Sequence, residues 1–211
     1  MRRVCWIFDL DNTLHFADEF IFPQVNQKMN RYIQKHLGVS STKASSLRQT
    51  YWDQYGATLR GLIRHHNIDP KDFLKKTHDL AFHDDHIIFE NLIHQIFRKL
   101  RGRKIIFTNA PQRYTTIILK KMNVHHFFDF IHAIEHSKFH GKPSTLSIKK
   151  LIRNTKTKQA YFVDDTLANL KKAKQYGLKT IWINGSLKKP SFIDFKIKNI
   201  NAMRRLRIKP V

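Results

Sequence analysis

A short apolar run at the start of the chain limits the possible fold more than any other stretch. Residues 4–8 (Val-Cys-Trp-Ile-Phe) are too few for a helix, do not alternate with polar residues, and stop at Asp9. This pattern is typical of a strand that is buried on both faces. Asp9 and Asp11 follow the strand together, and a hard divalent cation such as Mg²⁺ would relieve the repulsion between their carboxylates.

Four later apolar runs repeat this pattern and are separated by stretches with helical spacing. They lie at residues 104–107, 130–134, 160–163 and 179–183, and the last of them is taken as the final strand. Strands alternating with helices predict an α/β, Rossmann-like core with a parallel sheet between helices. Polar residues follow several of these runs directly. Because ligands bind beyond the carboxyl ends of such strands, we expect those residues to converge on one site.

The segment between the first two strands has a helical character. Apolar residues recur at helical spacing after Pro23, which we take as the start of a helix that ends at Gly38. Further helices are predicted at 41–55, 59–67, 70–80 and 87–100. We therefore predict a core of residues 1–14 and 97–211, with a helical cap of residues 15–96 inserted after the first strand.

Cysteine use and hydropathy limit the setting of the protein. Cys5 is the only cysteine, so an intrachain disulfide is impossible and a reducing, cytoplasmic location is expected. The apolar run near Met1 stops too early for a signal peptide, and no stretch approaches the length of a membrane-spanning helix. We therefore predict no membrane association.

The chain is strongly basic, with 39 Lys and Arg, 16 Asp and Glu, and a net charge of +23. The basic residues are spread along the whole chain, which favours a solvated surface over a nucleic-acid site, and the positive field would attract small phosphorylated substrates. Segment 186–211 is also basic. We favour an amphipathic segment packed on the core over one that contacts nucleic acid or a partner. Nothing in the sequence indicates an oligomeric state.

Four short polar motifs stand in a fixed order along the predicted core. They are Asp9-Leu-Asp11-Asn-Thr13, Thr108-Asn109, Lys142-Pro143 and Asp164-Asp165. Each is individually weak, because Asp, Asn and Thr are also common in turns and helix caps. Together they resemble the four motifs of the haloacid dehalogenase-like (HAD) hydrolases, and the helical insertion resembles the C1 cap of that superfamily.

The resemblance implies a phosphate-transfer site. Asp9 would attack phosphorus as the nucleophile and form an aspartyl-phosphate, while Asp11 would act as general acid and base. Thr108 and the Asn109 N–H would bind phosphate, Lys142 would neutralise developing charge, and Thr13 would orient the loop by hydrogen bonding. The implied ligands of Mg²⁺ are the Asp9 carboxylate, the Asp11 carbonyl, and Asp165 with Asp164 as a second or water-mediated ligand.

A closer resemblance lies in the predicted cap. The stretch from Tyr51 through Tyr55 to Arg60-Gly61 is similar to one in the pyrimidine 5′-nucleotidase branch. It implies that Tyr51, Tyr55 and Arg60 contact a nucleotide, although tyrosines at this spacing also form ordinary core stripes.

The hypothesis is a Mg²⁺-dependent phosphomonoesterase for nucleoside 5′-monophosphates such as UMP and CMP. The alternatives are a phosphatase of another small metabolite such as a sugar phosphate, a phosphomutase, or a nucleic-acid-binding protein on an inactive hydrolase fold.

Overall fold

The computed structural model describes residues 4–80, 86–155, 157 and 159–206. Within them the strands are β1 (Cys5–Phe8), β2 (Arg103–Phe107), β3 (Phe130–His132), β4 (Ala160–Asp164), β5 (Lys179–Ile183) and β6 (Phe195–Ile197). They form one six-stranded sheet in the order β3-β2-β1-β4-β5-β6, and every neighbouring pair is parallel. The predicted α/β class with a parallel, Rossmann-like sheet is confirmed.

Helices cover both faces of the sheet and fill the connection between β1 and β2. That connection contains α1 (Ala17–Leu37), α2 (Ser41–Tyr55), α3 (Thr58–His66), α4 (Pro70–Thr77) and α5 (Ile93–Lys99). The later helices are α6 (Gln112–Lys121), α7 (Thr145–Thr155) and α8 (Leu167–Gln175). Short 3₁₀ helices lie at His125–Phe127, Ile134–Ser137 and Ile200–Arg205. None of the helices within the described ranges is long and apolar enough to cross a membrane.

Alternate residues of β1 enter different apolar layers, as expected for a strand covered on both sides. Trp6 and Phe8 pack on one face of the sheet, and Cys5 and Ile7 pack on the other. All four are buried. The apolar run therefore belongs to the centre of the sheet and fixes the position of the residues that follow it.

The helical insertion has an apolar cluster of its own, but α1 belongs to two clusters. Ile21 and Val25 pack with the sheet, whereas Tyr32 and Ile33 pack with α2, α3 and α4. We call the point where the insertion joins the sheet the neck, formed by residues 15–16 and 88–89. There Phe16 N–H donates to the Ile88 carbonyl at 2.8 Å, and His15 pairs with Phe89. The cap boundaries of 15–96 stay a prediction.

Two predicted helix boundaries in the insertion are wrong. Helix α1 begins at Ala17 and carries Pro23 inside it, because the Asn12 side chain accepts a hydrogen bond from the Ala17 N–H at 2.9 Å and satisfies the new helix end. The helix predicted over 87–100 is confined to Ile93–Lys99, because residues 88–89 form part of the neck and pair with residues 15–16. The helices predicted at 41–55, 59–67 and 70–80 correspond to α2, α3 and α4, with the largest difference at the end of α4, which stops at Thr77.

The C-terminal half differs from the prediction in two places. Strand β3 ends at His132 rather than 134, and β5, which was predicted to be the final strand, is followed by the edge strand β6. The predicted packing of the last segment on the core is confirmed for the part described, since four of its apolar residues are buried: Ile193, Ile197, Ile200 and Met203. Residues 207–211, also assigned to this segment, lie outside the described residues.

Candidate active site

Three carboxylates meet where the strand order of the sheet reverses, between β1 and β4. Asp9 follows β1, Asp164 ends β4, and Asp165 follows it. One oxygen from each of these three side chains lies within 4.8 Å of the others. This position is the crevice beyond the strand ends in which ligands of open α/β sheets bind. The expected convergence of the first and fourth motifs is therefore observed.

Lys142 lies between two of these acids. Its Nζ is 2.7 Å from Asp9 Oδ1 and 2.8 Å from Asp164 Oδ2, and its side chain is 2% exposed. Burial alone would lower the pKa of Lys142, but the two carboxylates outweigh it and hold the pKa above its usual range. Asn109 fixes the lysine backbone, accepting from Lys142 N–H at 2.6 Å and donating to its carbonyl at 3.1 Å.

The carboxylates carry more negative charge than one lysine compensates. Burial, followed by repulsion from Asp164 and Asp165, raises the pKa of Asp9 well above its ordinary value despite Lys142. Burial and Asp164 likewise raise the pKa of Asp165 to about 6. A hard cation with oxygen ligands fits this donor set, because it would supply the missing positive charge. Asp9, Asp165 and Asp164 are the side chains that could hold it.

The two neighbouring acids of the fourth motif differ in how many of their oxygens are engaged. Asp164 accepts bonds from Thr166 N–H at 2.7 Å, from Asn169 at both oxygens at 3.1 Å, and from Lys142. Asp165 accepts one bond, from the Thr166 hydroxyl at 3.3 Å. Asp165 is therefore the acid with more free oxygen lone pairs.

Asp11 lies beside this cluster and is held by two donors. His15 Nε2 is 2.9 Å and the Tyr114 hydroxyl 2.7 Å from Asp11 Oδ1. Burial raises the pKa of Asp11, but the hydrogen bonds from His15 and Tyr114 lower it by more than burial raises it. The net shift of the pKa is therefore downward. An ionised carboxylate can only accept hydrogen bonds, so His15 and Tyr114 are both donors to Asp11.

Thr108 and Asn109 lie at the carboxyl end of β2, beside β1. Thr108 is buried, and its hydroxyl accepts from the Ala110 N–H at 3.0 Å. The Asn109 N–H has no acceptor within the described ranges, which is suitable for an anion. The buried hydroxyl of Thr13 has no hydrogen-bond partner among the described residues, whereas its N–H donates to the Leu10 carbonyl at 3.3 Å, so the orienting role of Thr13 stays a prediction.

The cap residues predicted to contact substrate bond chiefly within the insertion. The Tyr51 hydroxyl is 2.7 Å from His66 Nε2, and the Tyr55 hydroxyl is 2.7 Å from His65 Nε2. Tyr51 is 7% exposed. Arg60 is half-buried, and its guanidinium has no hydrogen-bond or ion-pair partner in the part of the chain that the structure describes. Substrate contact by Tyr51, Tyr55 and Arg60 stays a prediction.

The turn after Tyr55 does reach the acidic site. Gly56 has a φ of +73°, and a Cβ placed on it would lie 2.7 Å from Pro143 Cδ and 2.8 Å from the Lys142 carbonyl oxygen. Asn109 Nδ2 also donates to the Gly56 carbonyl at 3.4 Å. The insertion therefore packs on the peptide that carries the buried lysine.

Sequence reasoning missed three residues of the site. Gly56 lies inside the cap stretch that begins at Tyr51 and directly follows Tyr55, and a glycine after a helix is a signal for positive φ. His15 lies two residues beyond Thr13, where the first motif ends, and this proximity is only a weak signal. Tyr114 had none, because its contact with Asp11 joins residues 103 positions apart.

The family to which this fold and site belong is established by comparison. Residues 6–183 match the model of the haloacid dehalogenase-like hydrolases, and the chain therefore belongs to that family. The matched range extends from β1 to the end of β5 and includes all four polar motifs. The resemblance noted in the sequence is confirmed at the level of the superfamily.

Individual relatives are distant. The chain is 23% identical over 201 residues to Phosphate metabolism protein 8 of Saccharomyces cerevisiae, covering 83% of this chain and 60% of the relative. It matches a HAD phosphatase from Thermococcus onnurineus with a TM-score of 0.67 and 18% identity, covering 97% of each chain. It also matches the magnesium-bound HAD-hydrolase YfnB of Bacillus subtilis, with a TM-score of 0.62, 15% identity, and coverage of 99% and 100%. The two solved structures show the fold alone.

Proposed function

We propose that this hydrolase is a Mg²⁺-dependent phosphomonoesterase. The observation that carries the proposal is the buried Lys142 held between Asp9 and Asp164, with Asp165 beside them. A phosphate dianion needs several positive charges around it, and a lysine plus a divalent cation on these acids would supply them. The phosphatase and the magnesium-bound protein among the structural neighbours support this choice.

The chain supplies the groups for a two-step transfer. Asp9 attacks phosphorus, so that a carboxyl–phosphorus bond forms while the ester P–O bond breaks. The leaving alkoxide takes a proton from Asp11, which later removes a proton from the water that splits the aspartyl-phosphate. Lys142, Thr108 and the Asn109 N–H would bind the phosphoryl oxygens. Phosphate beside Asp11 would raise its pKa and favour the protonated form needed for the first step.

The cation would be held by Asp9, Asp165 and the Asp11 carbonyl, and its role when bound would be to neutralise phosphate charge against Asp9. We assign the direct ligand position to Asp165 rather than Asp164, because four hydrogen bonds already occupy the Asp164 oxygens. Asp164 would then serve mainly to hold Lys142.

We further propose that the insertion is a C1 cap and that the substrates are nucleoside 5′-monophosphates, with UMP and CMP preferred. The Gly56 turn supports the assignment of the insertion as a cap, because it brings the insertion against the Lys142–Pro143 peptide. The choice of nucleotides rests on the resemblance of the stretch from Tyr51 to Gly61. A sugar phosphate or another small phosphomonoester would use the same core chemistry. We place the activity in the cytoplasm, where the free thiol of Cys5 would remain reduced.

The test is phosphate release from a panel of mononucleotides and sugar phosphates with Mg²⁺ or EDTA. We expect turnover by the wild type, and its loss in EDTA and in Asp9→Asn, which removes the nucleophile. UMP and CMP should lead the panel.

Asp53→Asn is the matched control, because Asp53 is exposed on α2 and, among the described residues, its carboxylate bonds only to the Gln49 side chain. A sugar phosphate leading the panel would refute the nucleotide assignment alone. Metal-independent turnover, or Asp9→Asn with full activity, would refute the mechanism. No hydrolysis together with salt-sensitive RNA or DNA binding would favour an inactive hydrolase fold that binds nucleic acid.

A further inference from the structure

The two hydrogen bonds to Asp11 end on the same oxygen. His15 Nε2 and the Tyr114 hydroxyl both contact Oδ1, at 2.9 and 2.7 Å. Asp11 Oδ2 has no hydrogen-bond partner among the described residues, and the side chain is 15% exposed. The carboxylate therefore has one saturated oxygen and one that is open toward solvent or a ligand.

The two donors belong to separate parts of the fold. Tyr114 is in the first turn of α6, is 2% exposed, and packs with the sheet cluster. His15 is 1% exposed and lies in the neck, where it pairs with Phe89. Because neither side chain has room to turn, together they fix the plane of the Asp11 carboxylate.

We propose that His15 and Tyr114 are positioning residues that reserve Asp11 Oδ2 as the oxygen that exchanges protons with the substrate. An oxygen that accepts two hydrogen bonds has no lone pair suitably placed for a proton, so protonation occurs at Oδ2. Fixing that oxygen lowers the cost of orienting the acid during reaction. The inference rests on the proposed phosphatase function and adds the way in which its acid is oriented.

The consequence is a defect that depends on the leaving group. An alkoxide needs a proton as the P–O bond breaks, whereas p-nitrophenolate leaves readily without one. A misplaced Asp11 should therefore slow an alkyl phosphate much more than p-nitrophenyl phosphate. The parameter to compare is kcat/KM, because it reports the steps up to cleavage of the ester and excludes later breakdown of the aspartyl-phosphate.

The experiment measures kcat/KM for both substrates with Mg²⁺ in the full-length protein. For Tyr114→Phe and His15→Leu we expect a loss of about 10–100-fold with the alkyl phosphate and of about 3-fold or less with the aryl one. His15→Gln keeps an N–H donor and should recover most of the alkyl activity. If these residues had a merely structural role, their substitution would lower kcat/KM for both substrates by the same factor.

Two control variants remove comparable groups elsewhere. Tyr161→Phe deletes the hydroxyl of another buried tyrosine, which contacts Gln159, and His94→Leu deletes a ring that donates to the Met122 carbonyl. Both should leave the ratio of the two kcat/KM values unchanged. Should one test variant fail to fold, the other decides the outcome.

The outcomes separate the two proposals. Equal losses on both substrates, or no loss on the alkyl phosphate, would overturn the positioning role while the phosphatase function stands. A wild type that hydrolyses neither substrate would overturn the phosphatase function, and the positioning role with it.

Discussion

Asp165 is the member of the acidic cluster that Lys142 does not contact directly. Lys142 pairs with Asp9 and Asp164, whereas the Asp165 carboxylate accepts one hydrogen bond among the described residues, from the Thr166 hydroxyl. The raised pKa of Asp165, about 6, follows from burial and from Asp164. At this position a proton and a divalent cation would compete for the same carboxylate.

We therefore expect Mg²⁺ to stabilise the protein in a pH-dependent way. Above the raised pKa of Asp165 the carboxylate is free to bind, and at about 100 times Kd Mg²⁺ should raise Tm by roughly 5–10 °C. Below that pKa protons compete, and the shift should shrink. Thermal unfolding with Mg²⁺ or EDTA at pH 8 and 5.5 measures the difference.

Asp165→Asn should remove most of this shift, and the exposed Asp53→Asn should keep it. A shift of equal size at both pH values would contradict the assignment of Asp165 as a ligand. This readout does not depend on catalysis, so it holds whichever phosphoester is the substrate.

At the scale of elements, the turn between α2 and α3 matters because it contacts the loop that carries Lys142. Gly56 and Gly38 each come directly after a helix, and both have a positive φ, of +73° and +63° respectively. A side chain at Gly56 would meet Pro143 and the Lys142 carbonyl, whereas one at Gly38 meets nothing within 4 Å. The two glycines therefore separate backbone strain from contact with the site.

We expect Gly38→Ala to cost about 1 kcal/mol of stability through its backbone alone and to leave turnover unchanged. Gly56→Ala should cost a further 1–3 kcal/mol or so through overpacking, and it should lower kcat by displacing Lys142. Urea unfolding and steady-state kinetics of both variants provide the check. Equal effects of the two substitutions would mean that the turn does not press on the site.

Asp194 joins the edge strand β6 to its neighbours. Its carboxylate accepts from Lys174 Nζ at 2.6 Å, from Thr180 N–H at 2.9 Å and from the Thr180 hydroxyl at 3.1 Å. Burial raises the pKa of Asp194, but these bonds lower it more, and the net shift is downward. Its stabilising contribution is thus present above the ordinary pKa of aspartate and is lost as the pH falls through the lower folded value.

For Asp194→Asn we predict a loss of about 1–3 kcal/mol in the free energy of unfolding at pH 7. The difference from wild type should narrow as the pH falls from 7 to 3, because the advantage of the wild type begins to be lost below the ordinary pKa of aspartate. Urea titrations at both pH values measure it, with Asp53→Asn as the control. A difference that is independent of pH would show that the ionised carboxylate is not what holds β6.

The strands that end at Phe8, Phe107 and Asp164 were predictable because long-range burial on both faces leaves a continuous apolar run. Strand β6 was not, because an edge strand of Phe-Lys-Ile buries little and carries no such signal. The start of α1 is set by the Asn12 side chain, which accepts from the Ala17 N–H. The orientation of the Asp11 carboxylate is set in part by the Tyr114 hydroxyl. Both are contacts between residues that local patterns do not connect.

At the scale of the whole molecule, the net charge of +23 should affect stability and substrate binding in opposite directions. Repulsion among the basic residues opposes folding, and salt screens it. The same field attracts a phosphate dianion, and salt weakens that attraction. Raising NaCl from about 0.05 to 0.5 M should therefore increase Tm while lowering kcat/KM.

The control for this prediction is a comparison of KCl with NaCl. Equal effects of the two salts would exclude the specific binding of one ion as the cause. If Tm falls with salt, attractive ion pairs outweigh the repulsion. If kcat/KM does not change with salt, the field does not steer the substrate.

The neck also has a consequence for how such proteins recombine. The predicted cap begins at residue 15, so an insertion exchanged between relatives at that boundary would bring in a foreign residue in place of His15. Because His15 bonds to Asp11, the exchange would alter the orientation of the acid as well as the surface offered to the substrate. A chimera that keeps residues 4–16 and 88–89 of this chain preserves both partners of the pairing at the neck. Modular exchange of specificity in this scaffold is therefore limited by one histidine at the graft boundary.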